Sequence, residues 1–241
     1  MPLICYVHIN KNAGNSIIEA LYQNYPDRFS QFLISGRRSA TAAGAKTVDS
    51  DDDDVRRVLS EIRAQERRLS AIALNLPVGL HRKVDREVSY FTLMRAPVER
   101  CVSYWYWAYK KRETGNLWAT LVAGIGRGEL PLQFRNDQTR FLCGTGDVDL
   151  THDHLELAKR TIVDRFAFVG AVERFDESRQ ALARRLGWAD PGRYHLNRGD
   201  RTDQALLPAF ATELFATANA LDQELYTWLT STYLPPLLSR R

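Results

Sequence analysis

Residues 3–9 form an apolar run, residues 10–15 a polar loop, and Ile17, Ile18 and Leu21 an apolar helical pattern beginning near Ser16. This predicts a strand, a tight turn and a helix. The unit recurs at residues 88–94, VSYFTLM, a near-continuous apolar strand of the kind a parallel sheet covers on both faces. Arg95-Ala96-Pro97 opens the next helix, where proline suits the first turn, and Val98, Cys101, Val102, Trp105 and Tyr109 mark its expected buried stripe. A third core strand, residues 166–172, leads through Glu173 to a helix over residues 176–186.

The remaining pattern is weaker. Short strands are expected at residues 29–34 and 71–76, helices at 55–69 and 152–164, the latter capped by Thr151, and a helix followed by a turn over 117–132. Residues 35–54 read as a surface loop ending in the acidic run 51–54, whose last residue is expected to cap the following helix. A cation site is the other reading of that run. Residues 136–144, NDQTRFLCG, read as a polar-to-apolar loop carrying Arg140, and residues 191–202 as a basic loop with Arg193, His195, Asn197, Arg198 and Arg201. Leu207, Phe210, Leu214, Ala218, Leu221, Leu225 and Trp228 fit one long C-terminal helix. Strands alternating with helices predict an α/β fold, a parallel central sheet flanked by helices. No internal repeat or second boundary is visible, so residues 1–241 are expected to form a single domain.

Composition narrows this little. The chain is 44% hydrophobic and 26% charged, with a net charge of +4. That balance suits an anionic ligand and is too small to argue for nucleic acid without a basic stripe. Three cysteines, Cys5, Cys101 and Cys143, match no metal spacing. Cys5 and Cys101 fall at apolar positions and are expected to be buried thiols in a reducing compartment. No secretory leader precedes the first strand and no apolar window spans a bilayer, so a cytoplasmic protein is expected.

The loop at Lys11, Asn12, Ala13, Gly14, Asn15 and Ser16 has the chemistry of an anion cradle. Small residues let backbone N–H groups turn inward, the helix N-terminus adds partial positive charge, and Lys11 adds a full one. An ordinary strand–helix turn would use similar residues. The order differs from the nucleoside triphosphate loop, in which lysine directly precedes the hydroxyl residue; here Lys11 enters the loop and Asn15 precedes Ser16. That disfavours a kinase or nucleotide hydrolase. Arg95 ends the second core strand, at the sheet edge where ligands of open α/β proteins bind. Trp105, Tyr106, Trp107 and Tyr109 offer either a binding wall or core packing.

Taken in order, His8-Ile9-Asn10-Lys11-Asn12-Ala13-Gly14-Asn15-Ser16, Leu93-Met94-Arg95-Ala96-Pro97-Val98-Glu99-Arg100, Asn136-Asp137-Gln138-Thr139-Arg140-Phe141-Leu142 and Val169-Gly170-Ala171-Val172-Glu173-Arg174-Phe175 resemble the sulfotransferase family that includes heparan sulfate 2-O-sulfotransferase and its small bacterial relatives. The resemblance runs from residue 3 to about residue 200. It implies a sulfotransferase fold like that of the P-loop nucleoside triphosphatases and a donor, 3′-phosphoadenosine 5′-phosphosulfate (PAPS), with no metal. It implies that Lys11 to Ser16 hold the 5′-phosphosulfate and that Arg95 and Ser103 hold the 3′-phosphate. Ser103 lies about 12 Å along the helix from residue 95 by rise per residue. Further basic residues, Arg198 among them, are expected to close over the nucleotide.

Sulfuryl transfer needs an acceptor oxygen in line with sulfur and a fixed cation where charge grows on the leaving oxygen. Lys11 is the candidate cation. A hydroxyl acceptor also needs a general base. Relatives carry a histidine before the second core strand, and the matching position here is Asn75, which takes no proton at neutral pH. His81, six residues on, and Glu173 are the candidate substitutes, while His8 is expected to pack beside the loop. The expected acceptor is a small molecule, lipid or saccharide. A nucleotide-binding protein that has lost catalysis is the other reading, marked by Asn75.

Overall fold

A computed structural model describes residues 1–34, 46–110, 117–127, 129–146, 148–189, 207 and 210–239. Five parallel strands, β1 (Leu3–Val7), β2 (Phe29–Phe32), β3 (Ala71–Leu74), β4 (Val88–Met94) and β5 (Phe166–Ala171), form one sheet in the order β2-β3-β1-β4-β5. The helices in chain order are α1 (Gly14–Asn24), α2 (Asp53–Gln65), α3 (Pro97–Lys110), α4 (Leu117–Gly126), α5 (Asp137–Cys143), α6 (His152–Arg165), α7 (Phe175–Leu186), α8 (Ala211–Ala218), α9 (Ala220–Trp228) and α10 (Pro235–Ser239).

Alternate side chains of each strand feed opposite faces of the sheet. Tyr6, Phe91 and Phe168 pack with Ile17, Ala20 and Leu21 of α1 and Phe175 and Leu182 of α7. Cys5, Val7, Ile72, Leu74, Tyr90 and Val169 pack on the other side with α2, α6 and α9. Burial on both faces accounts for the near-continuous apolar strands. Each fully buried Leu, Ile or Phe contributes about 1.5–3 kcal/mol. A separate cluster joins α3, α4 and α8 through Tyr104, Trp105, Leu121, Ile125, Phe134 and Phe215.

The strand order positions the site. From β1 the chain travels to β2 and β3 on one side, and from β4 to β5 on the other. The loops leaving β1 and β4 therefore diverge between neighbouring strands, and the crevice outside their carboxyl ends is the topological switch point. The anion-cradle loop follows β1 and Arg95 follows β4.

Several expectations are corrected. Residues 137–143 are helical, although their polar run reads as a loop. The reason is a distant cap: the Asp222 carboxylate accepts from the backbone N–H of Gln138 at 3.1 Å and of Thr139 at 2.7 Å. The C-terminal helix is broken into α8 and α9 at Asn219. That side chain donates to the carbonyls of Phe134 and Phe215 and accepts from the N–H of Asn136. Asp52, not Asp54, caps α2, its Oδ1 accepting from the N–H of Asp54 and Val55. Within α3 the buried face holds Arg100, Cys101, Tyr104, Trp105 and Ala108, with Val98, Val102 and Tyr109 only half-buried. Arg100 is tolerated inside because it donates to the Gln133 carbonyl at 2.8 Å and lies 3.5 Å from the Asp137 carboxylate. The basic loop at 191–202, Arg198 included, lies outside the described residues.

Candidate functional site

The turn after β1 is held open by unusual backbone. Lys11 (φ 71) and Ala13 (φ 60) both sit in the left-handed region. Two such residues in one short loop bend the chain sharply between strand and helix, at a cost a non-glycine residue bears only where its surroundings enforce it. Gly14 begins α1 with the His8 ring packed against it; a Cβ there would lie 2.2 Å from His8 Nε2. His8 itself stacks on Tyr6, with ring centroids 5.6 Å apart, and its N–H donates to the Leu74 carbonyl. Among the described residues no side chain caps α1, and its first turn carries no acidic residue. The partial positive charge of the helix end is thus left for something else to answer.

The loop residues divide into walls and floor. The Asn12 side chain is fully buried, and its Nδ2 donates to the Leu93 carbonyl at 2.8 Å and to Gln138 Oε1 at 2.9 Å. It ties the first loop to the end of β4, so any contact of residue 12 with a ligand falls to its backbone. Asn15 is exposed, and Lys11, Ala13 and Ser16 are half-buried.

The second corner meets the first. Arg95 keeps 17% of its side chain exposed, and its Nη1 donates to the Lys11 carbonyl at 3.4 Å. Its Nη2 lies 3.8 Å from Glu99 one turn along α3. The Lys11 ammonium sits over the Trp107 ring, 5.8 Å from its centroid. Trp107 follows Ser103 by one helical turn on the same face of α3, so the Lys11 side chain crosses toward the face that carries Ser103. The fold therefore brings Lys11 and Arg95 into contact and turns Lys11 toward the helix of Ser103. Of the α3 aromatics, Trp105 is buried in the core and Trp107, 41% exposed, faces out.

The candidate bases are arranged differently. His81 lies in the short turn Leu80–Arg82, where its N–H donates to the Tyr90 hydroxyl at 2.9 Å and its Nδ1 is 3.0 Å from the same oxygen. Tyr90 is four residues before Met94 along β4, roughly 13 Å back from the crevice. The structure does not bring His81 to Lys11. Burial, then the charges of Arg165 and Arg82, lower its pKa. Glu173 does stand at the crevice, but both oxygens are engaged. Oε1 accepts from the Ala96 N–H at 2.9 Å, and Oε2 accepts from the Tyr226 hydroxyl at 2.5 Å. Burial and then the bond to Glu173 push the Tyr226 hydroxyl pKa up. Asn75, at the sheet edge after β3, spends its carboxamide on Ile34, accepting from its N–H at 3.0 Å and donating to its carbonyl at 3.4 Å. Among the described residues, no three His, Cys, Asp or Glu side chains gather as a metal site. Nor is any helix there long and apolar enough to cross a membrane.

Two residues not singled out from the sequence complete the arrangement. Gln138 joins both corners, and Asp222 fixes the helix that carries Gln138. The signal for the first was available: five polar residues, 136–140, stand directly before the apolar Phe141-Leu142. The signal for the second was not, since Asp222 acts from 84 residues away.

No protein-family model matches the chain, and no curated protein matches it in sequence. Among solved structures it is similar to a sulfotransferase from Alicyclobacillus acidocaldarius, with a TM-score of 0.44 and 18% identity, covering 94% of this chain and 96% of that one.

Proposed function

We propose that this chain is a sulfotransferase that moves a sulfuryl group from PAPS to a hydroxyl of a small molecule, lipid or saccharide. The observation that carries the reading is the meeting of the two β–α corners, with the Arg95 guanidinium reaching the Lys11 carbonyl at 3.4 Å. Two cationic side chains, an uncapped helix end and a crevice at the topological switch point suit a ligand with phosphate groups at both ends. When bound, such a donor supplies an activated sulfur and a phosphate leaving group.

The residues take distinct parts. The amides at the start of α1 and the Lys11 ammonium hold the phosphosulfate end. Lys11 stabilises the negative charge that grows on the leaving oxygen as the acceptor attacks. The Arg95 guanidinium and Ser103 hold the 3′-phosphate, for which a planar fork of donors is well shaped. The exposed Trp107 indole beside Lys11 lines the acceptor side. The cations present meet the charge requirement without a metal.

A second reading has its own support: a protein that binds the bisphosphate without transferring a group. Asn75 is committed to the Ile34 backbone and Glu173 to the Ala96 N–H and the Tyr226 hydroxyl, and His81 lies back along β4. Calorimetry with adenosine 3′,5′-bisphosphate against ATP, followed by mass spectrometry of candidate acceptors with PAPS, decides between them. A sulfotransferase prefers the bisphosphate and adds about 80 Da per transfer, the mass of SO₃, whose acceptor side must lose one proton to a base. Bisphosphate binding without mass gain supports the second reading, and preference for ATP overturns both.

A further inference from the structure

Gln138 is fully buried, and its carboxamide is directed at both corners. Oε1 accepts from the Arg95 N–H at 2.9 Å and from Asn12 Nδ2 at 2.9 Å. Nε2 donates to the Arg95 carbonyl at 2.8 Å. The carboxamide thus pairs with both backbone groups of Arg95, as a neighbouring strand would, while also gripping the loop after β1. Its orientation is fixed, because exchanging O and N would set donor against donor and acceptor against acceptor. The backbone behind it is equally fixed, since the Gln138 N–H donates to Asp222 Oδ2 at 3.1 Å.

We propose that Gln138 is a positioning residue that sets the separation of the Lys11 loop and the Arg95 corner, and so the length of ligand they span. It touches no ligand itself. Without the clamp, β4 and the first loop remain joined through Asn12 Nδ2 and the Leu93 carbonyl and through Arg95 Nη1 and the Lys11 carbonyl, but both backbone groups of Arg95 lose their carboxamide partner. The inference rests on the reading of these corners as the donor site.

The test uses Gln138→Glu, which has nearly the same shape. A protonated carboxyl reproduces the clamp: its carbonyl oxygen accepts the two N–H groups and its hydroxyl donates to the Arg95 carbonyl. An ionised one sets an oxygen against that carbonyl. Relative to wild type at the same pH, Gln138→Glu is expected to bind adenosine 3′,5′-bisphosphate about tenfold or more weakly at about pH 8, as for a buried group left mispaired. Affinity should return toward wild type near pH 5.5, within the raised range of buried carboxyls. Gln138→Leu is expected to be weak at both. Ile62→Val, a truncation in the α2 core, should lower the Tm with no loss of affinity. Equal affinity of Gln138→Leu and wild type at both pH values, or a loss in Ile62→Val matching that in Gln138→Leu, overturns the clamp. If wild type binds no bisphosphate, the donor-site reading fails, and amide exchange at Arg95 decides the inference alone. Slow exchange in wild type and faster exchange in Gln138→Leu supports the clamp, and equal exchange overturns it.

Discussion

The guanidinium of Arg95 donates to the backbone carbonyl of Lys11 across 3.4 Å, although the two residues are 84 positions apart. One ends β4 and the other turns out of β1, and the sheet places those strands side by side. The contact joins the two corners into one crevice. It places a backbone carbonyl against one arm of Arg95, while the other arm lies 3.8 Å from the Glu99 carboxylate.

Lys11→Met should lower turnover on the order of a hundredfold or more, as for loss of a transition-state donor. The substitution keeps the chain length and the same backbone strain at φ 71, so the Tm should move little. Steady-state transfer assays beside thermal unfolding check this. Unchanged turnover removes Lys11 from the mechanism.

Gly14→Ala places a Cβ where the His8 ring now sits, 2.2 Å from Nε2. The ring must move or the helix must shift, and a destabilisation of about 1–3 kcal/mol is expected in denaturant unfolding. Adding His8→Ala should recover most of it, because the two residues compete for one space. Strict additivity of the two changes contradicts this packing.

Glu173→Gln separates a structural carboxylate from a base. Gln keeps an acceptor for the Ala96 N–H and can still pair with the Tyr226 hydroxyl, so turnover should fall by less than about tenfold. Removal of a general base would cost about 10²–10⁴-fold. A loss in that range, with the Tm preserved, makes Glu173 the base.

His81 gives the fold a pH dependence. Its folded pKa is lowered from the ordinary 6.5 by burial and by the charges of Arg165 and Arg82. The unfolded chain therefore takes up the proton first. The contribution is fully present above the ordinary value and is lost as pH falls below it toward the folded value. The Tyr90 hydroxyl can give its proton to Nδ1 only while that nitrogen is unprotonated. His81→Gln should flatten the fall in Tm between about pH 7 and 5, the range of histidine titration. An unchanged slope refutes the assignment.

The sheet was legible because a two-sided parallel sheet writes itself as apolar runs. The run at residues 88–94 coincides with β4, and that at 166–172 overshoots β5 by one residue. The place of Arg95 was legible because it follows such a run directly, and that of Lys11 because it lies in the short polar loop after one. The α5 segment was not, since its seven residues are helical by virtue of Asp222, and a cap from so far along the chain leaves no local periodicity. The break at Asn219 was hidden likewise: the apolar spacing continues through it, while its side chain is spent on Phe134 and Asn136. The reach from His81 to Tyr90 needed the three-dimensional path of the chain, since the residues are close in sequence but run back along β4.

The central claim is that Lys11 and Arg95 grip opposite ends of one doubly phosphorylated adenosine. Titration calorimetry of wild type and Arg95→Ala with adenosine 3′,5′-bisphosphate and with AMP, which lacks the 3′-phosphate, tests it most directly. Arg95→Ala should weaken the bisphosphate by about tenfold or more, the worth of a charge-assisted contact, and leave AMP nearly unchanged. Equal losses for both ligands, or wild-type binding that ignores the 3′-phosphate, would contradict it.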